Sequence, residues 1–306
     1  MPEVGDDDVL VRVRAASVNS WDWDLLRGTP FMNRIGAPFT PRHEILGADI
    51  AGRVEAVGRN VDAVRPGDEV FGDLSACGWG GFAEYVCARQ DALAPKPTGV
   101  TFEQAAAVPQ AGVLAWRGLH YRRPVEPGER VLINGAGGGA GTFAVQIAKS
   151  FGAEVTGVDS GKKLEMVRSI GADHVIDYAR EDFTTGSVRY DHIVDMTARH
   201  SIFDCRRALH PDGTYVAVGA SLGRTAQAAL VGPLLSAIGS RKMGFLMHRP
   251  GGAELEALTG VLESGTVVPV IDTSYPLAQV PESLDHFGTG QVEGKLVIQV
   301  WTPTPA

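Results

Sequence analysis

The chain has 306 residues, 44% hydrophobic and 21% charged, and 28 Lys and Arg against 36 Asp and Glu give it a formal net charge of −8. That length suits two domains better than one core, and an acidic surface repels phosphate backbones and anionic lipid, so no nucleic-acid or membrane partner is expected. No apolar run approaches the ~20 residues of a membrane span, and the most apolar stretch, 226–238, is interrupted by Pro233. The start, MPEVGDDD, is acidic where a secretory leader is basic and then apolar. Cys77, Cys87 and Cys205 are odd in number and widely spaced, which fits thiols in a reducing compartment. The expectation is a cytoplasmic protein.

From residue 9 to about 93, short β-branched runs (VLVRVRAAS, ADIAGRVEAVG, FAEYVCA) are punctuated by Gly, Pro and Asp, the pattern of strands and turns at close spacing. From Thr101 the texture turns helical with TFEQAAAVPQAGVLAWRGL. Strands and helices then alternate: ERVLING, AGTFAVQIAKSFG, EVTGVD, KKLEMVRSIG, HVIDY, YDHIVDM, FDCRRALHPDG and TYVAVG. Such alternation predicts an α/β domain with a doubly wound parallel sheet. After about 258 the chain closes with VVPVIDTSYPL, a short helix near 280–287, and KLVIQVW. The expected organisation is a β-rich domain over 1–108, an inserted α/β domain over 109–258, and a return to the first domain over 259–306.

The segment VLINGAGGGAGTFAVQ carries the strongest signal, seven consecutive glycines and alanines between a strand and a helix. The first amides of a helix lack internal acceptors and carry the positive end of its dipole. A pyrophosphate placed there is held by main chain, provided no side chain intervenes. Ala136, Gly137, Gly138, Gly139, Ala140 and Gly141 are therefore candidate dinucleotide contacts, with Gly141 allowing close helix–strand packing. No lysine follows the last glycine, which argues against a triphosphate-gripping loop. The second strand ends at Asp159, 18 residues beyond Gly141, where an acid accepts from ribose hydroxyls and favours NAD(H). Ser160, Lys162 and Lys163 follow at once and suit the 2′-phosphate of NADP(H). NADP(H) is favoured, and NAD(H) stays open because of Asp159.

GADIAGRVEAVG, RPGDEVFG, GGFAEYV, AAAVPQAGVLAWRGL, the glycine loop, SIGADHVIDY and EGKLVIQV together resemble the medium-chain dehydrogenase/reductase superfamily, in its zinc-independent quinone oxidoreductase-like branch. The likeness runs nearly end to end. It implies a GroES-like β-rich domain plus an inserted Rossmann domain, a nicotinamide cofactor and a homodimer. Members of the family carry a further strand-rich segment ahead of the one matching VLVRVRAASVN. This chain starts almost on that strand, so either the start is truncated or the β domain keeps one unpaired edge. The zinc-dependent branch holds its metal with a cysteine and the histidine of Gly-His-Glu; those positions are Asn19 and Ala48 here, within Gly47-Ala48-Asp49. No zinc site is expected.

Residue by residue, the resemblance places Asn19 beside the nicotinamide and the substrate carbonyl, with Asp22 organising the loop. Trp21 and Trp23 stand beside them as walls for a flat ring or enone. Val113 is a cofactor-binding position often held by threonine in the family, so a side-chain hydrogen bond to the cofactor is expected to be lost there. Tyr178, Met196, Thr197, Gly219, Ala220 and Ser221 fall at strand ends that face the cofactor, and Phe245, Met247 and Lys295 are weaker carry-overs. Without a metal, hydride transfer needs an acceptor that is already electrophilic, such as a quinone or α,β-unsaturated carbonyl. The expected activity is therefore NAD(P)H-dependent reduction of such a small molecule, the final proton coming from water. A metal-free alcohol or aldehyde oxidoreductase and a non-enzymatic nucleotide-binding protein are the alternatives left open.

Overall fold

The run Asp8–Val18, rich in Val and Ala, forms β1, the central strand of a seven-stranded mixed sheet. The computed structural model describes residues 1–34, 43–219, 221–250 and 252–300, and divides into two compact units. One comprises Met1–Val113 with Arg249–Ala306, the other Leu114–His248. No helix among the described residues is long and apolar enough to cross a membrane.

In the first unit β1 leads into α1 (Ser20–Arg27), followed by β2 (Asp49–Val57), β3 (Glu69–Asp73), β4 (Tyr85–Arg89) and β5 (Leu93–Pro95). The helical pattern of 101–119 is two helices, α2 (Phe102–Ala106) and α3 (Pro109–Leu119). The break falls at Pro109, which has no N–H to continue the first helix but suits the first position of the second. The chain passes from one unit to the next within α3.

The second unit runs β6 (Arg130–Asn134), α4 (Gly139–Ser150), β7 (Glu154–Asp159), α5 (Leu164–Ser169), β8 (His174–Asp177), β9 (Tyr190–Asp195), α6 (Ile202–Ala208), β10 (Leu209–Ala217), α7 (Leu222–Ile238) and β11 (Lys242–Phe245). All neighbouring pairs are parallel, in the order β11-β10-β9-β6-β7-β8. This is the doubly wound order whose reversal, between β6 and β9, opens a crevice at the C-terminal strand ends. The helix expected over 203–213 stops at Ala208, and Leu209 already pairs with Tyr190 in the sheet. Pro211 and Gly213 are poor helix residues, and they fall where the register of β10 shifts.

The chain returns to the first unit through α8 (Gly252–Glu263), β12 (Ile271–Pro276), α9 (Val280–Gly288) and β13 (Lys295–Gln299). β13 pairs antiparallel with β1, with Val18 opposite Leu296, and parallel with β12. The core of this unit packs Val9, Val11, Val13 and Ile50 with Leu74, Leu284, Leu296 and Ile298. Residue 301, the last of KLVIQVW, lies outside the described residues.

α4 sits hard against the turn that follows β6. A Cβ built on Gly141 would lie 2.0 Å from the Gly135 carbonyl oxygen and 2.8 Å from the Ala136 carbonyl carbon, whereas one on Gly138 would meet nothing nearer than 3.5 Å. Gly141→Ala is therefore expected to destabilise the protein by ~1–3 kcal/mol of overpacking, and Gly138→Ala to leave it unchanged. Paired thermal melts check this, and equal melting temperatures would refute it.

Candidate active site

In the second unit the ends of the parallel strands gather most of the expected dinucleotide contacts. Gly138 caps α4 without a side-chain bond, and Gly138, Gly139 and Ala140 are partly exposed, while Ala136, Gly137 and Gly141 are buried. The first-turn N–H groups of α4 have no intrahelical acceptor of their own, and those of Gly139 and Ala140 belong to partly exposed residues. A side chain at Gly138 would project into that open space, which is the shape a bound diphosphate requires. The residues present fit the dinucleotide.

Asp159 closes β7 and turns its carboxylate back onto the loop. Oδ2 accepts the Gly137 N–H at 2.7 Å and Oδ1 accepts the Ser160 N–H at 2.8 Å. Lys163 is 7% exposed, and its stem covers the same glycine, since a Cβ on Gly137 would come 2.8 Å from Lys163 Cδ. Tyr178 follows β8, is 54% exposed, and donates its N–H to the Asp159 carbonyl. The Arg199 guanidinium lies 5.8 Å from the centre of the Tyr178 ring, a cationic contact that nothing in the local sequence announces.

At the β6/β9 crevice the buried Asp195 carboxylate gathers four donors: Asn134 Nδ2 (2.8 Å), the N–H groups of Thr197 (3.2 Å) and Ala198 (2.7 Å), and the Tyr215 hydroxyl (3.2 Å). Burial pushes the Asp195 carboxyl up, against those hydrogen bonds. The network shapes the turn carrying Met196 and Thr197. Gly219 follows β10, where a Cβ would meet the Met196 carbonyl oxygen at 2.4 Å. Ser221 caps α7, Phe245 ends β11, and Met247 is 63% exposed. Ala220 lies outside the described residues.

The first unit assembles a second polar centre at the corner between β1 and α1. Asn19 ends the strand and caps the helix, a helix that the turn chemistry of VNSWDW did not reveal. Asp22, three residues on, is fully buried and accepts the Asn19 N–H and the Gly47 N–H, each at 2.8 Å. It thereby ties α1 to the turn before β2. Gly47 has φ +93, and a Cβ there would strike the Phe82 backbone nitrogen at 2.6 Å.

Lys295, the first residue of β13, is 3% exposed. Its ammonium donates to the Val18 carbonyl at 3.1 Å and to Asn19 Oδ1 at 2.5 Å, and lies 3.8 Å from Asp49 Oδ2. Asp49 is wholly buried; it accepts the Gln110 N–H on both oxygens (3.3 and 3.1 Å) and faces the Ser17 hydroxyl at 3.5 Å. Burial pushes the Asp49 carboxyl up and the Lys295 ammonium down, and each opposes the other's shift by its charge. Gln110 belongs to this centre, although its sequence position gave no sign of it. Val113 is buried on α3.

The two tryptophans of α1 part company. Trp21 is 37% exposed and meets Trp79 edge-on, with ring centres 5.5 Å apart. Trp23 packs into the core instead, beside Gly288 and under the Arg27 guanidinium at 5.4 Å. The aromatic partner of Trp21 is thus Trp79, held at a left-handed φ of 71°, a conformation uncommon for a bulky side chain. Among the described residues no group of three or more His, Cys, Asp and Glu side chains is arranged to hold a metal.

Residues 5–98 match the alcohol dehydrogenase GroES-like domain, and 170–298 match the family described as zinc-binding dehydrogenase. A trans-enoyl reductase of Aspergillus terreus is 32% identical over 97% of this chain and 87% of its own. The chloroplastic NADPH-dependent alkenal/one oxidoreductase of Arabidopsis thaliana is 31% identical over 97% of this chain and 73% of its own. The structure of the quinone oxidoreductase from Coxiella burnetii superposes with a TM-score of 0.87 at 29% identity, covering 98% of this chain and 93% of that one. The chain belongs to the medium-chain dehydrogenase/reductase superfamily, in its quinone oxidoreductase-like branch.

Burial raises the Asp22 carboxyl to about 7, against the opposing pull of its two N–H donors and of Lys295. The folded value lies above the ordinary carboxylate value, so this group's contribution to stability is complete at acidic pH and is lost as pH rises through about 7. The carboxyl carbon resonance of Asp22, followed by NMR, should titrate near neutrality. A midpoint near 4, the ordinary aspartate range, would refute this.

Proposed function

We propose that the protein is a zinc-independent, NADPH-dependent reductase of quinones and α,β-unsaturated carbonyl compounds. The observation that carries this reading is the bare first turn of α4 at the end of β6, which is built to grip a dinucleotide diphosphate. The similarity to enoyl, alkenal and quinone reductases gives the substrate class. The bound cofactor supplies a hydride from its reduced nicotinamide ring.

The chain's own residues do the rest. The N–H groups of 139–141 hold the diphosphate, and Met196, Thr197, Gly219 and Ser221 line the path towards the nicotinamide. The Asn19 carboxamide donates to the substrate carbonyl oxygen as charge accumulates there. Trp21, backed by Trp79, supplies a flat wall. A proton from water completes the product.

The corner does not fit zinc. Asn19 and Ala48 stand where a cysteine and a histidine would be needed, and a lysine ammonium already sits on Asn19. At the adenosine end, both carboxylate oxygens of Asp159 already accept main-chain N–H groups, which leaves its charge partly satisfied and turned towards the loop. Ser160, Lys163, Tyr178 and Arg199 surround that end with donors and positive charge, the surroundings a 2′-phosphate requires.

β11 pairs only with β10 among the described strands, and α7 beside it exposes Leu222, Leu230, Leu234 and Ile238 along one ridge. A second copy of the chain covers this edge in the proposed homodimer. The three free cysteines fit a reducing compartment, which supports a cytoplasmic location.

The test follows oxidation of NADPH with enones and quinones and, in parallel, reduction of NADP+ by alcohols, each with and without a chelator. Turnover of enones or quinones that survives chelation is expected; turnover of alcohols alone, or loss with the chelator, would overturn the reading. Lys163→Met keeps the stem over Gly137 and removes the charge. It should weaken NADPH binding about tenfold or more, the scale of one charge-assisted hydrogen bond, and spare NADH. Equal effects on both cofactors, by fluorescence titration, would contradict the phosphate assignment.

A further inference from the structure

We propose that Lys295 is a positioning residue that decides which end of the Asn19 carboxamide meets the substrate. The proposal rests on the reading that Asn19 faces the substrate carbonyl, and it explains why that contact is a donor. An asparagine amide offers an acceptor and a donor of nearly equal shape, and rotation by half a turn exchanges them. The Lys295 ammonium donates only, so Asn19 Oδ1, 2.5 Å away, is the end it must hold.

Both partners are anchored through their main chains. The Asn19 N–H is bound by Asp22, and the Lys295 N–H donates to the Val270 carbonyl at 2.9 Å, next to the Leu296–Val18 pair of the sheet. The remaining freedom is the rotation of the amide itself, against which the ammonium acts together with the Asp22 N–H of the capping box. Lys295 is held in turn by the Val18 carbonyl and by Asp49, 3.8 Å away.

With Oδ1 engaged, Asn19 Nδ2 is left buried without a hydrogen-bond partner, although the amide lies close enough to Asp49 to favour its charged form. A buried donor left unsatisfied is unfavourable until an acceptor arrives. The acceptor that suits it is a carbonyl oxygen, because that oxygen becomes enolate-like when hydride adds to the conjugated carbon. A flipped amide would instead set Oδ1 against the growing negative charge.

The test compares Asn19→Asp, Asn19→Ala, Lys295→Met and Lys295→Met/Asp49→Asn with the parent, reading kcat and KM for but-3-en-2-one, the NADPH Kd and the melting temperature. Asn19→Asp keeps an acceptor for the lysine but offers the substrate an acceptor and sets a second carboxylate beside Asp49, so it should lose about 100-fold or more in kcat whatever its melting temperature. Lys295→Met should lose about 10- to 100-fold in kcat, as misaimed groups do, with NADPH Kd within about twofold.

The double variant removes both buried charges; it should recover the melting temperature without recovering kcat. If it recovers kcat, or if Lys295→Met or Asn19→Asp is as active as the parent, Lys295 does not aim the amide. If Asn19→Ala alone keeps full kcat, the reading of Asn19 at the carbonyl fails, and the positioning role falls with it.

Discussion

One missing methyl group sets the geometry of the dinucleotide half of this protein. The N-terminal turn of α4 packs so closely on the end of β6 that the Gly135 carbonyl oxygen occupies the space of any Cβ on Gly141. That contact fixes where the helix begins, and hence where its unpaired amides point. Asp159 reinforces the arrangement from the next strand by taking the Gly137 N–H, so the second strand of the sheet braces the turn after the first. A helix dipole and three bare N–H groups have value for anion binding only at a fixed place, and the packing supplies that place.

The β-rich unit solves a different problem, the burial of charge. Asp22, Asp49 and Asp73 are all almost wholly buried, with Lys295 among them. Buried ions are tolerated when hydrogen bonds and opposite charges satisfy them, and here the partners are nearly all main-chain groups at element ends: the N–H groups of Asn19, Gly47, Gln110 and Ser75. Asp22 and Asp49 therefore each join segments distant in sequence, and the corner that presents Asn19 is held where these ties meet. The two positions matching the metal ligands of the zinc-dependent branch carry Asn19 and Ala48 in this chain, and the Asn19 amide is held by the Lys295 ammonium.

The parts legible in the sequence were those carried by local pattern. The glycine loop, the strand ending at Asp159 and the β-α alternation are period and turn signals, and they match the six-stranded parallel sheet of the second unit. β11 was not legible: KMGF is four residues long and interrupted by a glycine, and its pairing is supplied by β10. The helix α1 was hidden because VNSWDW reads as a turn, its cap coming from a buried Asp22 that also serves a residue 25 positions away. Trp21 and Trp23 looked equivalent as neighbours in sequence, yet two residues along a helix point to nearly opposite sides. Gln110, Asp195 and Arg199 act through contacts across strands and loops, which no spacing rule encodes.

The fate of the label in NADPH deuterated at the transferable C4 position tests the central claim most directly. Turnover with a simple enone should yield a product carrying a single deuterium on the carbon β to the carbonyl and a solvent proton on the α carbon, read by NMR and mass spectrometry. Unlabelled product, with the deuterium lost to water or retained on the nicotinamide, would contradict direct hydride delivery from a cofactor held at the start of α4.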